Sequence, residues 1–392
     1  MDTNTTDGSA DRKTRVHFPN LNSIRVIASF AVVVHHIELA KSSLGMPNVY
    51  HVAAIQAMGP LGVVLFFVLS GFLITYLLLL EERRESRISV RRFYIRRILR
   101  IWPLYYLVVT VSLFVLPKID ALQPFGGGAP DPHFAVKAMM MLGFLPNVAL
   151  VLYTAVPFIS QAWSIGSEEQ FYLVWPWIIR RSRGRYLALL VTIAAYGALL
   201  AVFFVLRNAS PSTLVRALAG LLGTLSIDCM AIGGIAAVAH LRRERILAVL
   251  FDRRLQAAVY VVLLAMLGSG FMLPNRLHYH IYAPLFALVI LNLACNPRSL
   301  ISLETPLLDY LGRISYGIYM YHVIAIAITF KLLTVLRMER VVGFQYAGTV
   351  LLTIAIAAIS YYAFEHPILR RKIAFSSVVS GDIGAETESA QT

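Results

Sequence analysis

The chain has 392 residues, 58% of them hydrophobic and 14% charged, with a formal net charge of +14. Soluble domains carry about 25% charged residues. The deficit recurs along this chain as apolar blocks of spanning length, which excludes a soluble globular domain and reads as a polytopic membrane protein. The positive balance does not indicate nucleic acid, because the arginines cluster in short loops between the apolar blocks.

Residues 1–20 are polar and read as a disordered tail. Arg12, Lys13 and Arg15 precede an apolar stretch, as in a signal peptide, but the Ala-x-Ala cleavage pattern is missing around Glu38–Lys41. Residues 22–41 are therefore expected to be a retained signal-anchor helix. Arg25 and His36 lie in this run, eleven residues apart. At about 100° and 1.5 Å per residue they share one helical face, about 16 Å apart. An ionisable group at membrane depth costs a few kcal/mol and usually faces a cavity or a partner. Histidine is also the side chain best suited to move a proton near neutral pH.

Further spans are expected at 60–80, 98–116, 168–180, 186–206, 214–240, 255–273, 279–296, 314–336 and 343–363. In the second, Ser70 and Gly71 interrupt an aliphatic run. They read either as a packing notch between helices or as a place where a backbone or ligand comes close. Segment 81–100 holds eight arginines against three glutamates, so it should be cytoplasmic. Within it, Arg97 and Arg100 share a helical face and read as a positive-inside cluster or a phosphate clamp. Trp102, Tyr105 and Tyr106 beside them suit an interfacial aromatic belt or an adenine-stacking surface.

Segment 134–156 is apolar, but Pro146 and Asn147 break it into two pieces, each too short to cross. Loop 42–59 has no Lys or Arg and should be outside. RRSRGR (180–185), LRRERILAVLFDRR (241–254) and LRRK (369–372) should be inside. These placements agree only if 134–156 does not cross. The expectation is thus an all-α, polytopic transmembrane helix bundle of about ten spans plus a re-entrant or interfacial hairpin, with N- and C-termini cytoplasmic. Arg337 and Arg340 are inconsistent with it, since they fall in a loop placed outside. The body runs over 21–370, and 371–392 is a second polar tail. Cys229 and Cys295 lie in apolar runs and imply no disulfide.

The run QAWSIGSEEQFYLVWP (161–176) is the densest polar stretch beside a span. Two acids after Ser167 suit a helix first turn. That does not explain why Trp163, Gln170, Tyr172 and Pro176 crowd the same place, and Glu168 reads as orienting a histidine or binding an acceptor hydroxyl. Ser315, Tyr319 and His322 fall at i, i+4 and i+7 on one helical face and suggest a lined cavity. Glu365 pairs with a nearby arginine on this reading, and Pro367 stops the last helix. No Walker loop, GxGxxG or metal-ligand cluster is present.

Arg25 with His36, GVVLFFVLSGFLI, the Arg97–Arg100 pair before Pro103, WSIGSEEQFYLVWP, SYGIYMYH and FEHP occur in that order. As a set they resemble the acyltransferase-3 family of integral membrane acyl-CoA-dependent O-acyltransferases, over about residues 20–370. Relatives in that family modify O-antigens, exopolysaccharides, lipo-chitin nodulation signals and macrolides. The resemblance puts the family's Arg–x10–His motif on Arg25 and His36, its paired arginines on Arg97 and Arg100, and its acidic residue on Glu168. Its late-helix serine, tyrosine and histidine fall on Ser315, Tyr316, Tyr319 and His322. It also implies a ten-helix core and the stand-alone branch, without an extracytoplasmic esterase-like domain.

The implied activity is transfer of an acyl group, acetyl foremost, from acyl-CoA to a hydroxyl of a sugar, polysaccharide precursor or glycosylated metabolite. His36, Arg25 and Glu168 would be catalytic, with His36 a general base or a transient acyl carrier. Arg97, Arg100 and Trp102 would bind acyl-CoA. Ser70, Trp163, Tyr172, Ser315, Tyr319 and His322 would line the acceptor cavity. Acyl-CoA is expected as co-substrate with no permanently bound cofactor or metal. The partners are a carbohydrate acceptor and the bilayer, not nucleic acid, and the location is the bacterial cytoplasmic membrane. The alternative is a proton-coupled transporter or flippase with His36, Glu168 and His322 as a relay, although no inverted repeat is visible.

Overall fold

The structure, a computed structural model, describes residues 14–122, 131–182, 185–209, 212–375 and 378–380. The first helices are α1 (Leu21–Ser43), α2 (Ala53–Glu85) and α3 (Val90–Thr110). Two short helices follow, α4 (Phe134–Leu142) and α5 (Pro146–Leu152), then α6 (Trp163–Arg181), α7 (Arg185–Ala209), α8 (Thr213–Leu225) and α9 (Ile227–Arg242). The chain continues through α10 (Ile246–Leu250), α11 (Arg253–Ser269), α12 (Tyr279–Cys295), α13 (Pro306–Arg313), α14 (Ser315–Val335), α15 (Val342–Ser360) and α16 (His366–Arg370).

Among the described residues, seven helical stretches are long and apolar enough to cross a membrane. They cover seven of the ten expected spans. The other three form helices too: α6 has 19 residues, and α11 and α12 have 17 each. Leu187, Leu190 and Val191 on α7 and Leu351 and Ile359 on α15 are exposed, as helix faces in contact with lipid require.

Asn20 starts α1 in the left-handed conformation at φ 63°, which a short polar side chain tolerates. Its amide donates to Leu293 O at 2.8 Å and its oxygen accepts from Leu303 N at 2.5 Å. The entry to α1 is thus pinned to the end of α12 and the loop after it. The helices α2 and α9 meet backbone to backbone. A Cβ on Gly71 would fall 1.8 Å from Met230 O, and one on Gly233 would fall 2.0 Å from Val68 O. Both readings of the Ser70–Gly71 notch therefore hold at once, since Gly71 admits a helix while Ser70 is left to do something else.

Four local features differ from expectation, the first being that α6 begins at Trp163, so Glu168 and Glu169 lie in its second turn rather than after a Ser167 cap. The span expected at 214–240 is interrupted at Ser226, which is left-handed at φ 45°. The Tyr196 hydroxyl repairs the break by accepting from Ser226 N at 2.9 Å and donating to Leu222 O, as buried backbone in a membrane requires. Pro367 does not stop the last helix. A π turn over Tyr361–Glu365 precedes it, and α16 carries the helix to Arg370. The wide turn absorbs the missing proline N–H. Glu365 in that turn accepts from Ser360 Oγ at 3.4 Å, and the arginine near it is Arg100, which acts on it as a charge without a direct ion pair.

Segment 134–156 forms two short helices bent at Gly143–Leu145. Phe144 stacks on Tyr105 at 4.2 Å, and Tyr105 and Tyr106 donate to Met141 O and Leu142 O. Within the stretches read as polar tails, β1 (Thr14–Val16) and β2 (Val378–Ser380) pair in parallel. This ladder is an addition to the helical body.

Candidate active site

A cavity of about 180 Å³ lies in the half of the bundle that carries the arginine-rich loops. Nine of the residues singled out from sequence line it: Arg25, Ser70, Arg97, Arg100, Glu168, Tyr172, Ser315, Tyr316 and Tyr319. They come from α1, α2, α3, α6 and α14, so the cavity is where five helices converge.

Each polar group is held by something specific. Arg25 donates from Nη1 to Asn22 Oδ1 at 2.7 Å, and Asn22 in turn donates to Asp309 Oδ1 at 2.7 Å. Ser70 donates to Glu168 Oε1 at 2.6 Å, which is the role left to it beside Gly71. The Arg97 guanidinium lies 5.9 Å from the Phe93 ring and 5.7 Å from the Tyr172 ring, and its Nε is buried without a hydrogen-bond partner. Ser315 bonds back to Gly312 O at 2.7 Å. The Tyr319 hydroxyl donates to Gln161 O at 3.1 Å and accepts from Ser164 at 2.7 Å. Three guanidiniums thus surround a cavity that holds one buried carboxylate, a balance suited to an anionic ligand.

His36 and His322 do not line the cavity. They lie behind its wall, where Phe66 and Tyr319 meet at 5.8 Å and Tyr319 meets His322 at 5.8 Å. The face Ser315–Tyr319–His322 expected on one helix is real, and it runs from the cavity to this second layer. There His322 Nε2 sits 3.3 Å from His36 Nδ1. His322 is fully buried and His36 keeps partial accessibility.

The carbonyls beside the two rings favour one tautomer for each. His36 Nδ1 is 3.0 Å from Val32 O, and His322 Nδ1 is 2.7 Å from Tyr319 O. A carbonyl only accepts, so both rings carry their neutral-state proton on Nδ1. In that tautomer the one His36 Nδ1–H is shared between Val32 O at 3.0 Å and the lone pair of His322 Nε2 at 3.3 Å, and His36 Nε2 keeps a lone pair of its own. His35 turns away, bonding Ile55 O at 3.0 Å.

Two expected site residues face elsewhere. Trp102 donates to Glu169 Oε2 at 3.0 Å and packs on Phe144. Trp163 packs edge-on to Phe67, with the Arg276 guanidinium 5.8 Å from its ring. Sequence reasoning missed Asn22, which fixes Arg25, and His17 and Lys372, which line the cavity from stretches read as tail. The Asn22–Arg25 spacing of one helical turn was a usable signal. No group of three or more metal-ligating side chains occurs among the described residues.

An all-helical body with seven helical stretches long and apolar enough to cross a membrane defines a multi-pass membrane protein, and its cavity is ringed by arginines. A family profile described as an acyltransferase domain matches residues 18–364, and the chain belongs to the acyltransferase-3 family. It is similar to the peptidoglycan O-acetyltransferase OatA of Listeria monocytogenes, 31% identical over 170 residues, which are 42% of this chain and 24% of that protein. It is 25% identical over 373 residues to the putative peptidoglycan O-acetyltransferase YrhL of Bacillus subtilis, covering 91% of this chain and 56% of the relative. The O-acetyltransferase OatA of Staphylococcus aureus is 25% identical over 387 residues, with 91% and 58% covered. In each case the chain spans less than two thirds of the relative's own length. No solved structure is significantly similar to the chain.

Proposed function

We propose that the protein transfers an acyl group, acetyl foremost, from acyl-CoA to a hydroxyl of a carbohydrate or glycosylated acceptor. The observation that carries this reading is the arginine-ringed cavity ending against the His322–His36 pair. Arg97 and Arg100, with Arg25, hold the phosphates of the donor. The pantetheine arm then reaches inward toward Phe66 and Tyr319, whose rings must part for the thioester to meet His36.

His36 Nε2 takes the proton of the acceptor hydroxyl as its oxygen attacks the thioester carbonyl. The new C–O bond forms, the C–S bond breaks, and the leaving thiolate recovers the proton from His36. His322 Nε2 accepts from His36 Nδ1–H throughout and stabilises the imidazolium that forms between the two steps. General-base catalysis supplies about 10²–10⁴-fold, so arginine positioning of the donor must supply more. Glu168, held by Ser70 at 2.6 Å, orients the acceptor hydroxyl.

The protein on this reading spans the bacterial cytoplasmic membrane with both termini inside. The pairing of β1 with β2 supports an even number of crossings, and the arginine distribution supports the orientation. The names of the relatives put peptidoglycan among the acceptor classes to test first. Mass spectrometry of cell-envelope glycans and secreted glycosides with and without the gene tests the reading. Loss of an acetyl mass from a glycan supports it, and unchanged acylation across both pools contradicts it.

A further inference from the structure

A second cleft, of about 810 Å³, opens between the start of α3 and the end of α6, away from the acyl cavity. Arg87, Arg91 and Arg180 line it, over a floor made by Tyr94 and Trp177. The floor is built: Trp177 Nε1 donates to the Tyr94 hydroxyl at 3.0 Å, and that hydroxyl donates to Leu173 O at 2.6 Å. Arg180 and Arg181 lie 5.8 Å and 5.9 Å from the Trp177 ring.

The local acids are already taken. Glu81 pairs with Arg96 at 2.8 Å and Arg92 at 3.3 Å, Glu85 pairs with Arg92, and Glu82 pairs with Arg185 at 2.5 Å. Among the described residues, Arg87, Arg91 and Arg180 have no carboxylate within 4.0 Å. Beneath the arginines, Leu173, Val174 and Trp177 form an exposed apolar stripe on α6 at 63%, 52% and 42% accessibility. A cationic rim above an apolar stripe, with an indole at the boundary, matches an amphiphile that carries phosphate at one end and acyl chains at the other.

We propose that this cleft binds an anionic phospholipid of the phosphatidylglycerol type. Its phosphate sits among Arg87, Arg91 and Arg180, and its chains lie along Leu173, Val174 and Trp177. A choline headgroup brings its own cation against the three guanidiniums and is disfavoured.

The test is native mass spectrometry of the delipidated full chain titrated with phosphatidylglycerol or phosphatidylcholine in detergent. Wild type should retain phosphatidylglycerol with roughly tenfold preference, the size set by a few surface arginines. The triple variant Arg87→Gln/Arg91→Gln/Arg180→Gln should lose that preference, and Arg91→Gln and Arg180→Gln singly should each reduce it should the triple variant not fold. Equal retention of the two lipids by wild type overturns the proposal, as does an unchanged preference in the variants. Displacement of phosphatidylglycerol by free CoA in the Arg25→Ala/Arg97→Ala background would assign the cleft to a soluble phosphate instead.

Discussion

His322 Nε2 lies 3.3 Å from His36 Nδ1, joining two helices whose residues are 286 apart in sequence. Each ring nitrogen Nδ1 lies against a carbonyl of its own helix, Tyr319 O and Val32 O, which orients the two imidazoles toward each other. The pair can share a positive charge, and His36 Nε2 is the free lone pair. His322→Ala should therefore lower kcat by roughly 10–10³-fold while leaving the KM for acyl-CoA within about twofold. Steady-state kinetics on purified protein in detergent decides this, and a rise in KM with unchanged kcat would remove His322 from the proton path.

Arg97 presents a guanidinium to the cavity with a buried Nε that no protein atom satisfies. A phosphate there would be worth about 1.5–3 kcal/mol in charge-assisted hydrogen bonding. Arg97→Ala should raise the KM or Kd for acetyl-CoA about ten- to a hundredfold, with a smaller effect on kcat. Titration calorimetry with acetyl-CoA measures it directly. Arg97→Lys should rescue incompletely, because an ammonium lacks the planar fork.

Gly71 and Gly233 let α2 and α9 touch at their backbones. Gly71→Val places carbon where Met230 O now sits, and overpacking of this kind costs about 1–3 kcal/mol or more. The variant should show a lower melting temperature in detergent and a broadened gel-filtration peak. Ser70→Ala, which removes the hydroxyl that bonds Glu168 without adding bulk, should leave both close to wild type and reduce turnover.

Lys137 is buried and bonds Asp131 Oδ2 at 2.6 Å and Thr154 Oγ1 at 2.8 Å, tying the two ends of segment 134–156. The Lys137 ammonium, followed by the His133 N–H, holds the Asp131 carboxyl below its ordinary range. A depressed folded-state pKa contributes stability that is present above the unfolded value, about 4, and is lost as pH falls through the folded value. Wild type should thus lose part of its stability below about pH 4. Asp131→Asn should melt lower at neutral pH and lose less on acidification. Parallel melting curves across pH test the difference, which isolates this one carboxyl from the others.

Much of the cavity was legible because ionisable and hydroxyl side chains inside apolar runs are costly and therefore conspicuous. Arg25, Ser70, Glu168 and Tyr319 were found on that ground, and all four line one cavity. Helical spacing placed Ser315, Tyr319 and His322 on one face, but spacing within a helix says nothing about which other helix that face meets. The relay alternative grouped His36 with His322, but their direct contact and the second layer in which it lies come only from the fold. Trp102 and Trp163 were read by proximity, and the direction of an aromatic ring at a helix end depends on tertiary packing. Ser226 carries no glycine or proline signal, so its break in the helix could not be read. His17 and Lys372 sit in stretches with no periodicity, where only the folded chain reveals their position at the cavity.

The central claim is that His36 removes the acceptor proton. The direct measurement is transfer of labelled acetyl from acetyl-CoA to a soluble muropeptide or oligosaccharide acceptor by purified His36→Ala in detergent, with acetyl-CoA binding measured on the same sample. Retained binding with transfer reduced by at least about 10²-fold is the predicted result. Wild-type transfer rates from a folded His36→Ala protein would contradict it.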